Sequence, residues 1–348
     1  MRRPSCIAVL PPLCSPSVHL RGSGAEVLPD TELSTARDRF VAFRRSLPRT
    51  PPLERQTVRC RGLAFAVFTT PPVEPESRDA PPLLCINGGM LYDHSMLWPA
   101  LSPLAQRRQI ILYDQRGRGR TEAPADPRAA SIEDDAADLP ALRRALGIRR
   151  WDVLGHSWGG GIALLATTLD QAGIRRLVTV DAVGPTSDWM PVLHARVAAR
   201  LAPDHRVAFD RIDPRDLAHP DPELQAAYAS SVYPAWFADP DLARYFVPPK
   251  VTSDTGAAVL ARLRGEGYDW RDRLRALSLP TLVIHGEEDA LPVTVSTELA
   301  ALLPRAQREL VPHAGHMPFW EAPDVFFPIV DSFLAAPVPS PGGVRQSV

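Results

Sequence analysis

The sequence predicts an α/β protein: a mostly parallel central sheet flanked by helices, with one helical segment inserted. Two observations carry this. Short, mainly apolar runs at Leu83–Ile86, Ile110–Tyr113, Trp151–Leu154, Arg176–Val180, Thr281–Ile284 and Arg308–Val311 alternate with helical patterns. Strands that are apolar on both faces belong to parallel sheets covered by helices on each side. The alternation breaks once, between about Val183 and Leu277, where the chain is helical in pattern, acidic and punctuated by proline. That interval reads as an insertion over the strand ends.

The remaining elements follow in order. Residues 1–50 read as a tail rich in proline and arginine. Within it Ala36, Phe40, Val41, Phe43 and Leu47 mark one face of a short helix, ended by Pro48, Pro51 and Pro52. Thr57–Thr70 alternates as a strand or hairpin, and Pro71–Pro82 is a turn-rich connector. A helical stretch is expected near His94–Arg107. Ser131-Ile-Glu-Asp134 has the spacing of a capping box and opens a helix to Leu146, with Gly147 as its stop. Further helices are expected at Gly159–Gln171, Val293–Leu303 and Asp324–Leu334. The organisation is then a tail (1–50), a core (51–183 and 278–336), a helical cap (184–277) and a frayed C-terminal tail (337–348).

Composition bounds the function. A chain of 348 residues that is 45% hydrophobic and 23% charged can bury a sizeable core, which excludes collagen-like, wholly disordered and coiled-coil classes. A net charge of −1, with arginines in scattered pairs, gives no pull toward nucleic acid or an acidic membrane. No apolar stretch approaches the roughly 18 residues of a membrane span. Cys6, Cys14, Cys60 and Cys85 show neither a CxxC nor a metal-ligand spacing. They read as free thiols of a reducing compartment, which makes a cytoplasmic location the expectation.

The chemistry concentrates in Gly155-His-Ser-Trp-Gly159, a Gly-x-Ser-x-Gly turn between a strand and a helix. There the turn projects Ser157 above the helix N-terminus, where the Trp158 amide and the helix dipole can share an oxyanion's charge. A phosphate-binding glycine turn is the competing reading, but neither Gly-Lys-Ser/Thr nor Gly-x-Gly-x-x-Gly is present, and no cofactor is called for. A serine needs a base, and the base needs a carboxylate to fix its tautomer. His316, after a glycine in the loop past the last strand, is the favoured base and His313 the alternative. The pair could also be a His-x-x-His metal site, although no third ligand stands out. His285 reads as a satisfied core histidine, and His156 is expected to point away from Ser157. In Gly286-Glu-Glu-Asp289, Asp289 fits the acid better than Glu287 or Glu288. Asn87-Gly-Gly89 lets backbone approach a substrate oxygen, which makes Gly89 the second candidate oxyanion donor. Asp114-Gln-Arg-Gly-Arg-Gly-Arg-Thr121 reads as a brace for the loops around the site.

On these stretches the chain resembles the α/β-hydrolase superfamily and, within it, the proline iminopeptidase branch. Asp114-Gln-Arg-Gly117 and Ser157-Trp-Gly-Gly160 lean to that branch; Asn87-Gly-Gly89, Gly286-Glu-Glu-Asp289 and Gly315-His316 belong to the superfamily at large. The resemblance implies Ser157 as nucleophile, Asp289 and His316 as its partners, and Gly89 and Trp158 amides as oxyanion hole. Asn87, Met90 and His156 stand where that branch usually has histidine, proline and glycine. Iminopeptidases bind a free amine with cap glutamates, for which Glu223 and Glu266 are available. The expectation is a metal-free serine hydrolase, iminopeptidase-like, on a small-molecule or short-peptide substrate. An esterase, lactonase or C–C hydrolase acting in a pocket near Met90, Trp189, Tyr233 and Trp236 is the alternative. A hydrolase fold kept only for binding is the outsider.

Overall fold

The computed structural model describes residues 36–72, 80–211, 231–246 and 253–336. An eight-stranded sheet organises them, with strands β1 Glu54–Cys60, β2 Leu63–Thr69, β3 Leu83–Ile86, β4 Ile110–Tyr113, β5 Trp151–His156, β6 Ile174–Val180, β7 Thr281–Gly286 and β8 Ala306–Val311. Their order is β1-β2-β4-β3-β5-β6-β7-β8. The β1–β2 hairpin and the β2–β4 pair are antiparallel, and every later pairing is parallel.

Successive side chains on a strand face opposite ways, and in the central strand β3 both faces are buried, whereas the edge strands β1 and β8 are largely exposed. Leu84 and Ile86 join a core with Leu139, Leu142, Ile162 and Leu165. Leu83 and Cys85 join the opposite core with Leu97, Leu104, Phe326 and Val330. On the first face lie α2 (Ile132–Ala145) and α3 (Trp158–Leu169), with α11 (Pro323–Ala335) on the second. Ser131 caps α2 by accepting the Asp134 N–H at 3.1 Å, as the capping-box spacing predicts. The short helix α1 (Ala36–Ser46) docks through Phe43, whose ring stacks on Phe327 at 6.5 Å.

One predicted stretch differs, and one helix was not predicted. Near His94–Arg107 there is no α-helix but two 3-10 helices, His94–Met96 and Ser102–Gln106. Pro99 and Pro103 lack the N–H an α-helix needs and break its ladder. A four-residue helix, α10 (Pro318–Glu321), forms directly after His316 where none was predicted. Between β6 and β7 the chain carries α4 (Trp189–Arg200), α5 (Pro203–Arg211), a helical turn at 231–236 (α6), α7 (Asp254–Glu266) and α8 (Arg271–Arg275). Then α9 (Val293–Leu302) links β7 to β8. Cys60 and Cys85 are free thiols, and no helix among the described residues is long and apolar enough to cross a membrane.

Candidate active site

The loops after β3, β5, β6, β7 and β8 leave the same end of a parallel array, the end at which ligands bind in such sheets. The loop after β5 holds Ser157, at φ 55° and ψ −123°, a conformation that L-residues rarely adopt. Its neighbours allow nothing larger than glycine: a Cβ on Gly155 would meet the Gly159 carbonyl, and one on Gly159 would meet the Ile86 carbonyl. The turn is tied down by Ser157 N–H donating to Val180 O at 2.9 Å and Ser157 O accepting from Gly160 N–H at 2.9 Å. Trp158 opens α3, so its N–H has no partner within the helix.

His316 Nδ1 and Asp289 Oδ2 lie 2.7 Å apart, with Asp289 fully buried and His316 5% exposed. Burial pushes the Asp289 carboxyl up, but facing His316, with help from His285 and the Leu291 N–H, holds it below the usual carboxylate range. Its other oxygen accepts that Leu291 N–H at 2.9 Å. His316 is pinned by its N–H to Trp236 O at 2.7 Å, and its ring lies 4.4 Å from the Trp236 ring. His313, the alternative base, has a side chain 90% exposed and near Glu288, while Glu287 and Glu288 are not buried.

Gly89, Met90, Ser157, Trp158, Trp189, Tyr233, Trp236 and His316 line one cavity of about 580 Å³, and Asp289 stands behind His316. Its walls are mainly aromatic, methionine and aliphatic side chains. Asp210, Arg264 and His194 are charged or titratable members of the lining. Of the cap glutamates, Glu266 is exposed and lies 3.9 Å from Arg262, outside the lining. Glu223 falls outside the described residues.

The Asp114–Thr121 stretch braces the nucleophile side as expected. Gln115 Nε2 donates to Asn87 O at 2.8 Å. Arg118, fully buried, pairs with Asp135 at 2.8 Å and donates its Nε to Met90 O at 2.8 Å. Arg116 pairs with Asp138, and Asp114 accepts the Arg120 N–H at 2.8 Å.

Sequence reasoning missed several supporting residues. His156 does not simply point away: its ring packs 4.8 Å from the His316 ring, and its Nε2 lies 2.8 Å from His316 O. Burial, with His316 beside it, pushes His156 down to about 3, so the ring is neutral. A carbonyl oxygen only accepts, which puts the proton on Nε2. His285 is buried as expected, with Nε2 donating to Leu291 O at 3.0 Å, but it also belongs to a buried cluster with Asp181 and Asp289. Burial and the Asp289 charge push Asp181 well above the usual range. Asp181 accepts the Gly286 N–H at 2.8 Å, which ties the cluster to the end of β7 ahead of Asp289. From α4, Arg196 donates to Asp289 O and Ala290 O, each at 2.8 Å, and Arg200 to Glu288 O at 2.5 Å. Glu321 accepts N–H groups of Ala238 and Met317. The only sequence signal for Glu321 was its place five residues after His316.

The chain belongs to the alpha/beta hydrolase fold family, whose pattern residues 81–323 match, and it is a hydrolase. Within that family it resembles the proline iminopeptidase branch: it is 30% identical over 262 residues to the proline iminopeptidase of Lactobacillus delbrueckii subsp. lactis, covering 70% of this chain and 86% of that one. It is also 31% identical over 234 residues to the 2-hydroxymuconate semialdehyde hydrolase of Pseudomonas putida, covering 66% of this chain and 78% of that protein. The same fold recurs in the crystal structure of the Mycobacterium smegmatis proline iminopeptidase, with TM-score 0.61 and 24% identity, over 81% of this chain and 97% of that one. An enol-lactonase from Burkholderia xenovorans matches with TM-score 0.61 and 22% identity over 81% and 100%.

Proposed function

We propose that the protein hydrolyses an ester or amide through an acyl-enzyme, with Ser157, His316 and Asp289 as its triad. Ser157 Oγ attacks the carbonyl carbon while His316 takes its proton, and Asp289 holds the imidazole and balances its charge. The N–H groups of Gly89 and Trp158 receive the oxyanion. His316 then protonates the leaving group, and water, deprotonated by His316, releases the acid. The observation that carries this is a buried 2.7 Å His–Asp pair whose histidine shares one mainly apolar cavity with a serine held at positive φ. The helices between β6 and β7 act as a cap over that cavity.

The cavity favours an ester of a compact apolar acid. Met90, Trp158, Trp189, Leu193, Val197 and Trp236 offer apolar wall. A free ammonium group would need an available carboxylate. Asp210 is the one carboxylate among the described lining residues, and Arg206 holds its oxygens at 2.8 and 2.9 Å. Arg264, by contrast, has no ion pair among the described residues. The iminopeptidase reading stands second, favoured by the 30% identical relative.

A serine-directed fluorophosphonate should label the wild type and not Ser157→Ala. Turnover of aryl esters surviving in that variant would sink the triad. Short-chain aryl esters should exceed prolyl arylamides in kcat/KM; the reverse order makes the protein an iminopeptidase.

A further inference from the structure

Within the reading of His316 as base, one buried carboxylate has no assigned part. Glu321, the last residue of α10, is 7% exposed. One oxygen accepts the Ala238 N–H at 2.7 Å, from the turn that follows α6. The other accepts the Met317 N–H at 3.1 Å, from the histidine loop, and the Gly315 amide also faces it. Those segments are in backbone contact: His316 N–H donates to Trp236 O at 2.7 Å, and a Cβ on Gly315 would collide with that carbonyl. A carboxylate buried between two peptide segments is well placed to fix their separation, because charge-assisted bonds to N–H groups are short and strong.

We infer that Glu321 is a positioning residue: its carboxylate joins the 236–238 turn of the inserted helices to the histidine loop, so that the placement of that turn sets where His316 stands relative to Ser157. Both oxygens are needed as acceptors. A protonated carboxyl carries its O–H on one oxygen, which then accepts only weakly, so the hold on one amide loosens. The charged and titratable groups facing Glu321 come from other elements: Asp289 after β7, Asp181 after β6, and Arg200 on α4. Burial raises Glu321 from the ordinary 4.5 to about 7, against the pull of the three amides, and Asp289 adds to the rise. The join therefore forms as pH rises through neutrality.

The test is E321Q, which keeps the shape but offers one acceptor oxygen. Its kcat on an aryl ester should fall about 10- to 100-fold with little change in KM, as expected for a misplaced base in an intact pocket. The part of the wild-type pH profile that follows Glu321 should be missing in E321Q, because the amide does not titrate. Glu321→Asp should restore part of the pH-dependent rise. Wild-type kcat and pH profile in E321Q would overturn the inference, as would equal losses in E321Q and Glu321→Asp with an unchanged profile. Should E321Q not fold, amide exchange in the wild type decides. Protection of Ala238 and Met317, corrected for intrinsic rates, should rise between about pH 6 and pH 8, and pH-independent protection would refute the join. Failure of the triad itself is distinguishable, since Ser157→Ala would then keep its turnover.

Discussion

On the nucleophile side of the cavity, Met90 and Ser157 are braced from inside the core, by the fully buried Arg118–Asp135 pair, the Met90 carbonyl and the backbone of β6. On the histidine side, the Asp289 and His316 loops are gripped from outside the sheet. Arg196 and Arg200 hold the Asp289 loop, while Trp236 O and Ala238 N–H reach the His316 loop. The nucleophile half is held chiefly by core pairs, with Ser253 of the insertion donating to Gly117 O at 2.6 Å, while both loops of the histidine half are gripped by the inserted helices. Disturbing the first should cost stability, whereas disturbing the second should cost turnover in a protein that stays folded.

The sharpest break falls on the acid itself. Asp289→Asn leaves the shape but removes the charge that holds His316's tautomer, and kcat should drop about 10⁴-fold with labelling of Ser157 correspondingly slowed. A drop under about tenfold would give the acid's role to another group, with Asp181 the first to replace. On the core side, Arg118→Met strands a buried Asp135 and frees the Met90 carbonyl. Destabilisation of about 3–5 kcal/mol is expected in urea unfolding, partly recovered by adding Asp135→Asn. A smaller effect should come from Arg200→Ala, which removes a donor to the Glu288 carbonyl: kcat down about tenfold with unfolding free energy changed by about 1 kcal/mol. If Arg200→Ala lowers stability as much as Arg118→Met, the contrast between the two sides fails.

The smallest signal is thermodynamic. Glu321 is raised in the folded protein, from the ordinary 4.5 to about 7. Its contribution to stability is thus fully present below about 4.5 and is lost as pH rises through about 7. The Tm of the wild type minus that of E321Q should therefore shrink from pH 5 to pH 8 (both approximate), because the amide does not titrate. A difference that grows over that range would contradict the raised ionisation.

Much of this was legible where local chemistry decides the outcome. Apolar runs, the Ser131 cap and the glycine spacing around Ser157 act over a few residues, and their consequences can be read without the rest of the chain. The two 3-10 helices were within reach too, since Pro99 and Pro103 lie inside the stretch given to one helix. What stayed hidden is contact made across long sequence distance through generic groups. Arg196 reaches a carbonyl 93 residues away, and Glu321 an amide 83 residues away. Any arginine or glutamate can bond a peptide group, so nothing in the residue type marks those two. His156 was misjudged in a related way: its own strand sets its direction, but its neighbour His316 arrives from a loop 160 residues later.

The inserted helices hold carbonyls and amides of the Asp289 and His316 loops, and they also wall the cavity. A lineage that exchanges this insertion for another, to reach a new substrate, changes the fit of its base in the same event. Chimeras between relatives should therefore lose turnover even where the new pocket is well formed, and regain it through changes at the seam around Trp236, Ala238 and Glu321 rather than in the pocket itself.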